Sequence, residues 1–195
     1  WTHLKMEGPE YERYNHIPRF RYKTYYGINT VHYLDLIETS ECQSLPLPQI
    51  IVSAMLTKLA KSGAKTDTAE MILTPFAEQL FNQLDSLKFL AYMGPDGYPA
   101  IIPVSQCQAV DSRTLAFSPL AFTEELHRIS PGPDVASFGL TMGMEDVLVR
   151  GTFHGFKRYR FMKLGTVGIE WVYNSMPPGH GQIYPQVALE TIVDF

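Results

Sequence analysis

Charge is scarce in this chain. Its 195 residues carry 16 Lys and Arg against 20 Asp and Glu, a charged fraction of 18% and a formal net charge of −4. A coiled coil or a disordered acidic tail needs far more charge, so both are excluded. Cysteine is scarcer still: Cys42 and Cys107 stand far apart and form neither a C-x-x-C pair nor a zinc-ribbon spacing. Two such thiols read as small buried apolar groups in a reducing compartment. Long apolar runs are missing too, because the stretch 50–56, with Ser53 inside it, falls far short of the roughly 20 residues of a membrane helix. No basic segment followed by an apolar one opens the chain. It starts on Trp1 instead of Met, as a cleaved, trimmed or renumbered beginning would. The expectation is a cytoplasmic protein without membrane association.

What the sequence has in plenty is 11 Tyr, 11 Phe, 14 Gly and 14 Pro, spread along the chain. That is the composition of a turn-rich globular protein built from short strands. At this length roughly 70% of the unfolded surface can be buried, so no staple is required.

The first 40 residues alternate aromatic and basic side chains at Arg19, Phe20, Arg21, Tyr22 and Lys23, and 31–37 reads as a short strand. Such interleaving can serve single-stranded nucleic acid. A half-buried strand looks the same, and an acidic chain lacks the basic footprint that phosphate binding needs, so nucleic acid is not expected. From Pro48 the period becomes helical, with Ile51, Met55 and Leu59 on one stripe and Val52 and Leu56 beside it, a pattern expected to face the core. Lys58, Lys61 and Gly63 supply C-terminal signals. Thr74 and Pro75 open a second helix with Phe76, Leu80, Phe81, Leu84 and Leu87 on its stripe.

A hairpin follows, with strands over 88–93 and 98–110 around the turn Gly94, Pro95, Asp96, Gly97. Further strands are expected over 114–118, 135–142, 147–156 and 166–173, with a short helix from Thr123. Six short antiparallel strands with turn signals between them predict a small closed barrel, since closure removes exposed edges. Residues 1–70 are expected to form an N-terminal extension with two strands and one helix, as a separate small domain or as a wrap. Residues 71–195 are the barrel and a C-terminal tail.

Strong chemical motifs are absent: no G-x-G-x-x-G opening a helix, no P-loop, no G-x-S-x-G elbow, no H-E-x-x-H. The six histidines never fall at i, i+3 or i, i+4, so no metal site is expected. Glu145 and Asp146 are adjacent in a turn and diverge, which leaves no acid/base pair and no catalytic residue to name.

One stretch does resemble a known family. Residues 89–99 (Phe89 to Pro99), then Ile101, Ile102, Pro103 and Val104, then 114–118, look like the opening of the FMN-binding split barrels related to pyridoxamine 5′-phosphate oxidase. Residues 147–153 resemble the strand that crosses back in those barrels. The resemblance covers about 74–173. It implies a mainly β fold with flanking helices, a six-stranded antiparallel split β-barrel, and a homodimer with two flavin sites at the subunit interface. Pro103, Val104, Ser105 and Gln106 would then run along the flavin ring, Ser118 and Thr123 would lie near the phosphate, and Arg150 would balance its charge.

The chain departs from the family pattern at the phosphate, where Thr123 is followed by Glu124 and Glu125. Those acids suit a helix N-terminus but repel a dianion. Three readings stay open. The first is an FMN-dependent oxidoreductase taking electrons from a reduced nicotinamide or similar small-molecule donor. The second is a dimeric barrel that binds or assembles without flavin. The third is a haem-handling relative with His154 or His180 as ligand.

Overall fold

A computed structural model describes residues 2–5, 7–16, 31–34, 44–66, 71–143, 145–174 and 181–186. The chain divides into two units, Trp1–Leu45 and Pro46–Phe195. In the first, β1 (Thr2–Lys5) precedes α1 (Pro9–Asn15) and pairs antiparallel with β2 (Val31–Leu34), placing His3 opposite Tyr33. β2 falls within the strand expected over 31–37. Residues 19–23 lie outside the described residues.

The second unit runs α2 (Leu47–Ala60), a 3₁₀ turn (Lys61–Ala64), α3 (Pro75–Asn82), β3 (Leu87–Met93), β4 (Pro99–Pro103), β5 (Gln108–Asp111), β6 (Thr114–Phe117), α4 (Thr123–His127), β7 (Asp134–Leu140), β8 (Asp146–Tyr159), β9 (Met162–Asn174) and β10 (Gly181–Tyr184). The strands form one antiparallel sheet in the order β4-β3-β7-β8-β9-β6-β5, with β10 added to β9. The unit is mainly antiparallel β with flanking helices. It has eight strands where six were expected. The expected strand 98–110 is in fact two, because at Val104–Cys107 the chain turns, with Val104 N donating to Lys88 O at 2.7 Å and Cys107 N donating to Val104 O at 2.7 Å. Pro103, which has no N–H to give a ladder, ends the first half. The eighth strand, β10, comes from the tail.

The sheet is open, which corrects the expectation of a closed barrel. Among the described residues no ladder joins its two ends, β4 and β5. These are consecutive strands, so the four-residue turn 104–107 spans the seam that a ladder would have closed.

β8 shows how the sequence sorts its faces. Val147, Val149, Gly151 and Phe153 are buried, while Leu148, Arg150 and Thr152 between them are not. That is the period of two of a strand with one face on a core. The core gathers these residues with Leu90, Ile102, Leu115, Phe117, Val135, Val167 and Ile169, and with Leu80 and Phe81 from α3. Phe153 meets Phe117 at 5.9 Å and Phe156 edge-on at 5.3 Å. α3 starts as its sequence predicts, the Thr74 hydroxyl accepting from Ala77 N at 3.2 Å.

α2 sits the other way round from its expected orientation. Its buried positions are Ile50, Ser53, Ala54, Thr57 and Ala60, while Ile51, Met55 and Leu59, expected in the core, point to solvent. The inward face is small and polar, and main-chain bonds seat it. Ser53 Oγ donates to Ser118 O at 3.2 Å, Thr57 Oγ1 accepts from Ser118 N at 3.0 Å, and Gln108 Nε2 donates to Ala54 O at 2.9 Å. Small side chains let the helix approach the sheet closely enough for these bonds, which large apolar ones would prevent.

Candidate functional site

The outer face of β3, β7, β8 and β9 carries an open cleft of about 600 Å³. Its floor is a row of cross-strand neighbours, since Ala91 pairs with Ala136, Ala136 with Arg150, and Arg150 with Trp171. The two alanines keep the floor low, and Arg150 and Trp171 rise from one side. Tyr92, Met93 and Pro99 from the hairpin and Pro185 after β10 add apolar wall; Asp134 and Glu170 add carboxylates.

A β-bulge makes this arrangement. Arg150 faces Trp171 and Gly151 faces Ile169, so Glu170 is an extra residue on β9. A bulge brings two successive side chains toward the same face. The burial sequence agrees: Ile169 and Val172 are buried while Glu170 and Trp171 between them are not. Gly151 is required at the crossing, because a Cβ there would lie 1.9 Å from Gly168 O.

Within the cleft the Arg150 guanidinium carbon stands 4.2 Å from the centroid of Trp171, which itself stacks on Tyr173 at 5.8 Å and 11°. Stacking on an indole orients a guanidinium while its edge N–H groups can still donate. Glu170 is held by Thr152, whose hydroxyl donates to its Oε1 at 2.7 Å. Aromatic and apolar walls with a few placed polar groups, in a space of this size, suit a planar organic ligand that carries an anionic group.

The residues named from the sequence do not assemble in one place. Arg150 alone lines this cleft. Gln106 and Ser118 are fully buried, Ser118 against α2, and Gln106 Nε2 donates to Ser118 O at 3.2 Å. Gln106 Oε1 has no hydrogen-bond partner among the described residues. Val104 is buried in the core cluster, while Pro103 and Ser105 are half-buried at the seam turn. The Thr123 hydroxyl donates to Pro119 O at 2.8 Å. α4 is only five residues long, lacks a side-chain cap, and carries Glu124 and Glu125 in its first turn. His154 is exposed and its ring lies over Gly168, whose added Cβ would meet it at 2.7 Å. His180 lies outside the described residues. Sequence reasoning missed Trp171, Glu170 and Tyr92 as site residues, because the bulge that turns Glu170 and Trp171 to one face leaves no mark in the residue pattern.

At the seam, Lys88 is fully buried, and its Nζ donates to Gln83 O at 2.5 Å and Ser105 O at 3.1 Å. Burial lowers this amine to about 8. Burial also pushes the Cys107 thiol up to about 12, the nearby lysines opposing it only in part. Cys107 is therefore an unreactive thiol at neutral pH. Among the described residues no group of three or more His, Cys, Asp or Glu could hold a metal ion, and no helix is long and apolar enough to cross a membrane.

An FMN phosphate does not fit among Gln106, Ser118 and Thr123, whose polar atoms are sealed under α2 or committed to main-chain carbonyls. The outer-face cleft instead presents one cation, Arg150, among apolar and aromatic walls and the carboxylates Asp134 and Glu170.

No protein-family model matches the chain, and no curated protein matches it either. Solved structures are similar to part of it, among them the following three. A point variant of HupZ from Group A Streptococcus is 16% identical over 53% of this chain and 99% of its own, with a TM-score of 0.45. A candidate pyridoxamine 5′-phosphate oxidase from Lactobacillus delbrueckii is 20% identical over 54% of this chain and 96% of its own, with a TM-score of 0.41. General Stress Protein 26 from Bacillus anthracis is 8% identical over 50% of this chain and 92% of its own, with a TM-score of 0.32.

Proposed function

We propose that the protein binds a planar anionic cofactor of the flavin class in the outer-face cleft and works as an FMN-dependent oxidoreductase. The observation that supports this is the Arg150–Trp171 pair, a cation over an indole at 4.2 Å on the floor of a cleft whose other lining is mainly apolar, with Asp134 and Glu170 as its carboxylates. Arg150 meets the anionic group, Trp171 and Tyr92 flank the ring, and Glu170, fixed by Thr152, accepts a ring N–H. A bound flavin supplies hydride and electron transfer, and the chain supplies binding, orientation and exclusion of water. The split-barrel resemblance adds a homodimer in which a second copy closes the open side of the cleft over the cofactor.

Fluorescence titration with FMN and with riboflavin tests this reading, and Arg150→Ala sharpens it. Losing one charge-assisted contact is worth about 1.5–3 kcal/mol, so FMN binding is expected to weaken at least tenfold while riboflavin binding changes much less. Equal losses for both ligands would remove Arg150 from the phosphate. If neither ligand shifts the melting temperature of the native chain, the flavin reading fails.

A second reading, a flavin-free binding module, is favoured by the burial of Ser118 and Gln106. It predicts a colourless protein from a flavin-replete host and an outer-face cleft that takes a different planar ligand.

A further inference from the structure

α2 turns its larger side chains outward. Leu47, Ile51, Met55 and Leu59, spaced by four, are between 53% and 60% exposed, with Val52 at 51% beside them. Its inward face, by contrast, is small and hydrogen-bonded. A single exposed Leu needs no explanation, but five neighbouring apolar side chains on one helix form a contiguous patch on the order of 500 Å², near the top of what monomers expose.

We infer that α2 is a self-association surface on which a second copy of this chain packs its own α2 about a two-fold axis. Three observations select a second copy. A standard interface takes roughly 800 Å² from each partner with an apolar centre and a polar rim, and here exposed Gln49, Lys58 and Ser62 border the stripe. The i, i+4 row is the ridge of the commonest helix–helix packing, which seats each ridge in the other helix's groove. The helix contains no acidic residue and only one cation, Lys58, so its surface asks for no partner of opposite charge. A two-fold axis near Ile51 and Met55 makes the patch complementary to itself and keeps the two Lys58 side chains on opposite sides of the axis.

Light scattering and sedimentation of the full chain without ligand test the surface, so failure of the cofactor reading leaves this test intact. The double variant Ile51→Glu/Met55→Glu places two charges per copy at the centre of the contact, on side chains that are outside the core. At about 50 µM the unmodified chain is expected to have twice the molar mass of the variant, with the same far-UV circular dichroism and a dissociation constant lower by at least 100-fold. The control Ile51→Leu/Met55→Leu is expected to keep the larger mass. A native chain that stays at monomer mass, or a Glu variant whose mass is unchanged, overturns the proposal. If the split-barrel dimer forms as well, the masses are those of a tetramer and a dimer, and the factor of two remains.

Discussion

Two of the residues that the sequence nominates for one cofactor site, Arg150 and Ser118, end in regions of opposite design. On the outer face of the sheet a bulge opens a cleft, where Arg150 and Trp171 stand above two alanines. At the α2 side a helix seals a polar layer, where Ser53 and Thr57 bond the main chain of Ser118 and Gln108 bonds that of Ala54. Both regions contain polar side chains on a mainly apolar sheet. One leaves its polar groups available and the other has spent them on main-chain partners, so only the first can recognise a ligand without first breaking the fold.

The sharpest way to break this comparison is to remove the bulge. Gly151→Val puts a branched side chain where even a Cβ would be 1.9 Å from the backbone carbonyl of Gly168. Backbone cannot yield as a side-chain tip can, so β8 and β9 must separate or lose register. A loss of about 3 kcal/mol or more is expected, which lowers the melting temperature by roughly 6–12 °C for a chain of this size. Differential scanning calorimetry measures it. A variant that melts within a degree or two of the native chain would mean that the crossing is looser than described and that the bulge does not set the cleft.

Lys88 lies between the two regions, on a strand that lines the cleft and beside the turn that leads to Gln106. Burial lowers its amine to about 8 from 10.5, so the folded state disfavours the charge relative to the unfolded chain. Between those values the unfolded state binds more protons, and stability must rise with pH across that window and level off above it. Deprotonation also costs no bond, because a neutral amine keeps two N–H groups for its two acceptors, Gln83 O and Ser105 O. Urea denaturation from pH 7 to 10.5 should therefore show greater resistance at the alkaline end, up to about 3 kcal/mol by linkage. The comparison is with Lys88→Met, which lacks the titrating group. A native-minus-variant stability difference that is flat or falls over this range would show that the amine stays charged in the fold.

Much of this architecture can be read from the residues. Thr74 and Pro75 mark the start of α3, Gly94 to Gly97 mark the hairpin turn, and the alternation of 147–153 tells which side chains of β8 face the core. The failures share one physical cause, which is that they depend on what lies opposite. The helical period of α2 is plain, but period alone does not choose the face, and small residues able to approach the sheet outweighed the larger apolar stripe. The break at 104–107 falls in a glycine-free run, where only Pro103 hints that the ladder ends. The cleft residues Glu170 and Trp171 owe their common face to register between β8 and β9. Register is a property of two strands and neither one declares it. Arg150 was named through resemblance, and its stacking on Trp171 depends on the same register.

The smallest expected effect asks whether the two regions are independent. Thr57→Val keeps the shape of the side chain and deletes the hydroxyl that accepts from Ser118 N and donates to Ser53 O at 2.8 Å. Ser118 is buried, so its N–H is left without a partner, while Ser53 O keeps its position within the helix. An orphaned buried donor costs about 1–3 kcal/mol, and a fall of a few degrees in melting temperature is expected. The cleft should not respond, because none of its lining residues takes part in this layer. FMN affinity in the variant is therefore expected to stay within about twofold of native, near the limit set by additivity of separate sites. A tenfold loss of affinity from Thr57→Val would join the polar layer to the cleft, and Ser118 and Gln106 would return to the cofactor site from which their burial removes them.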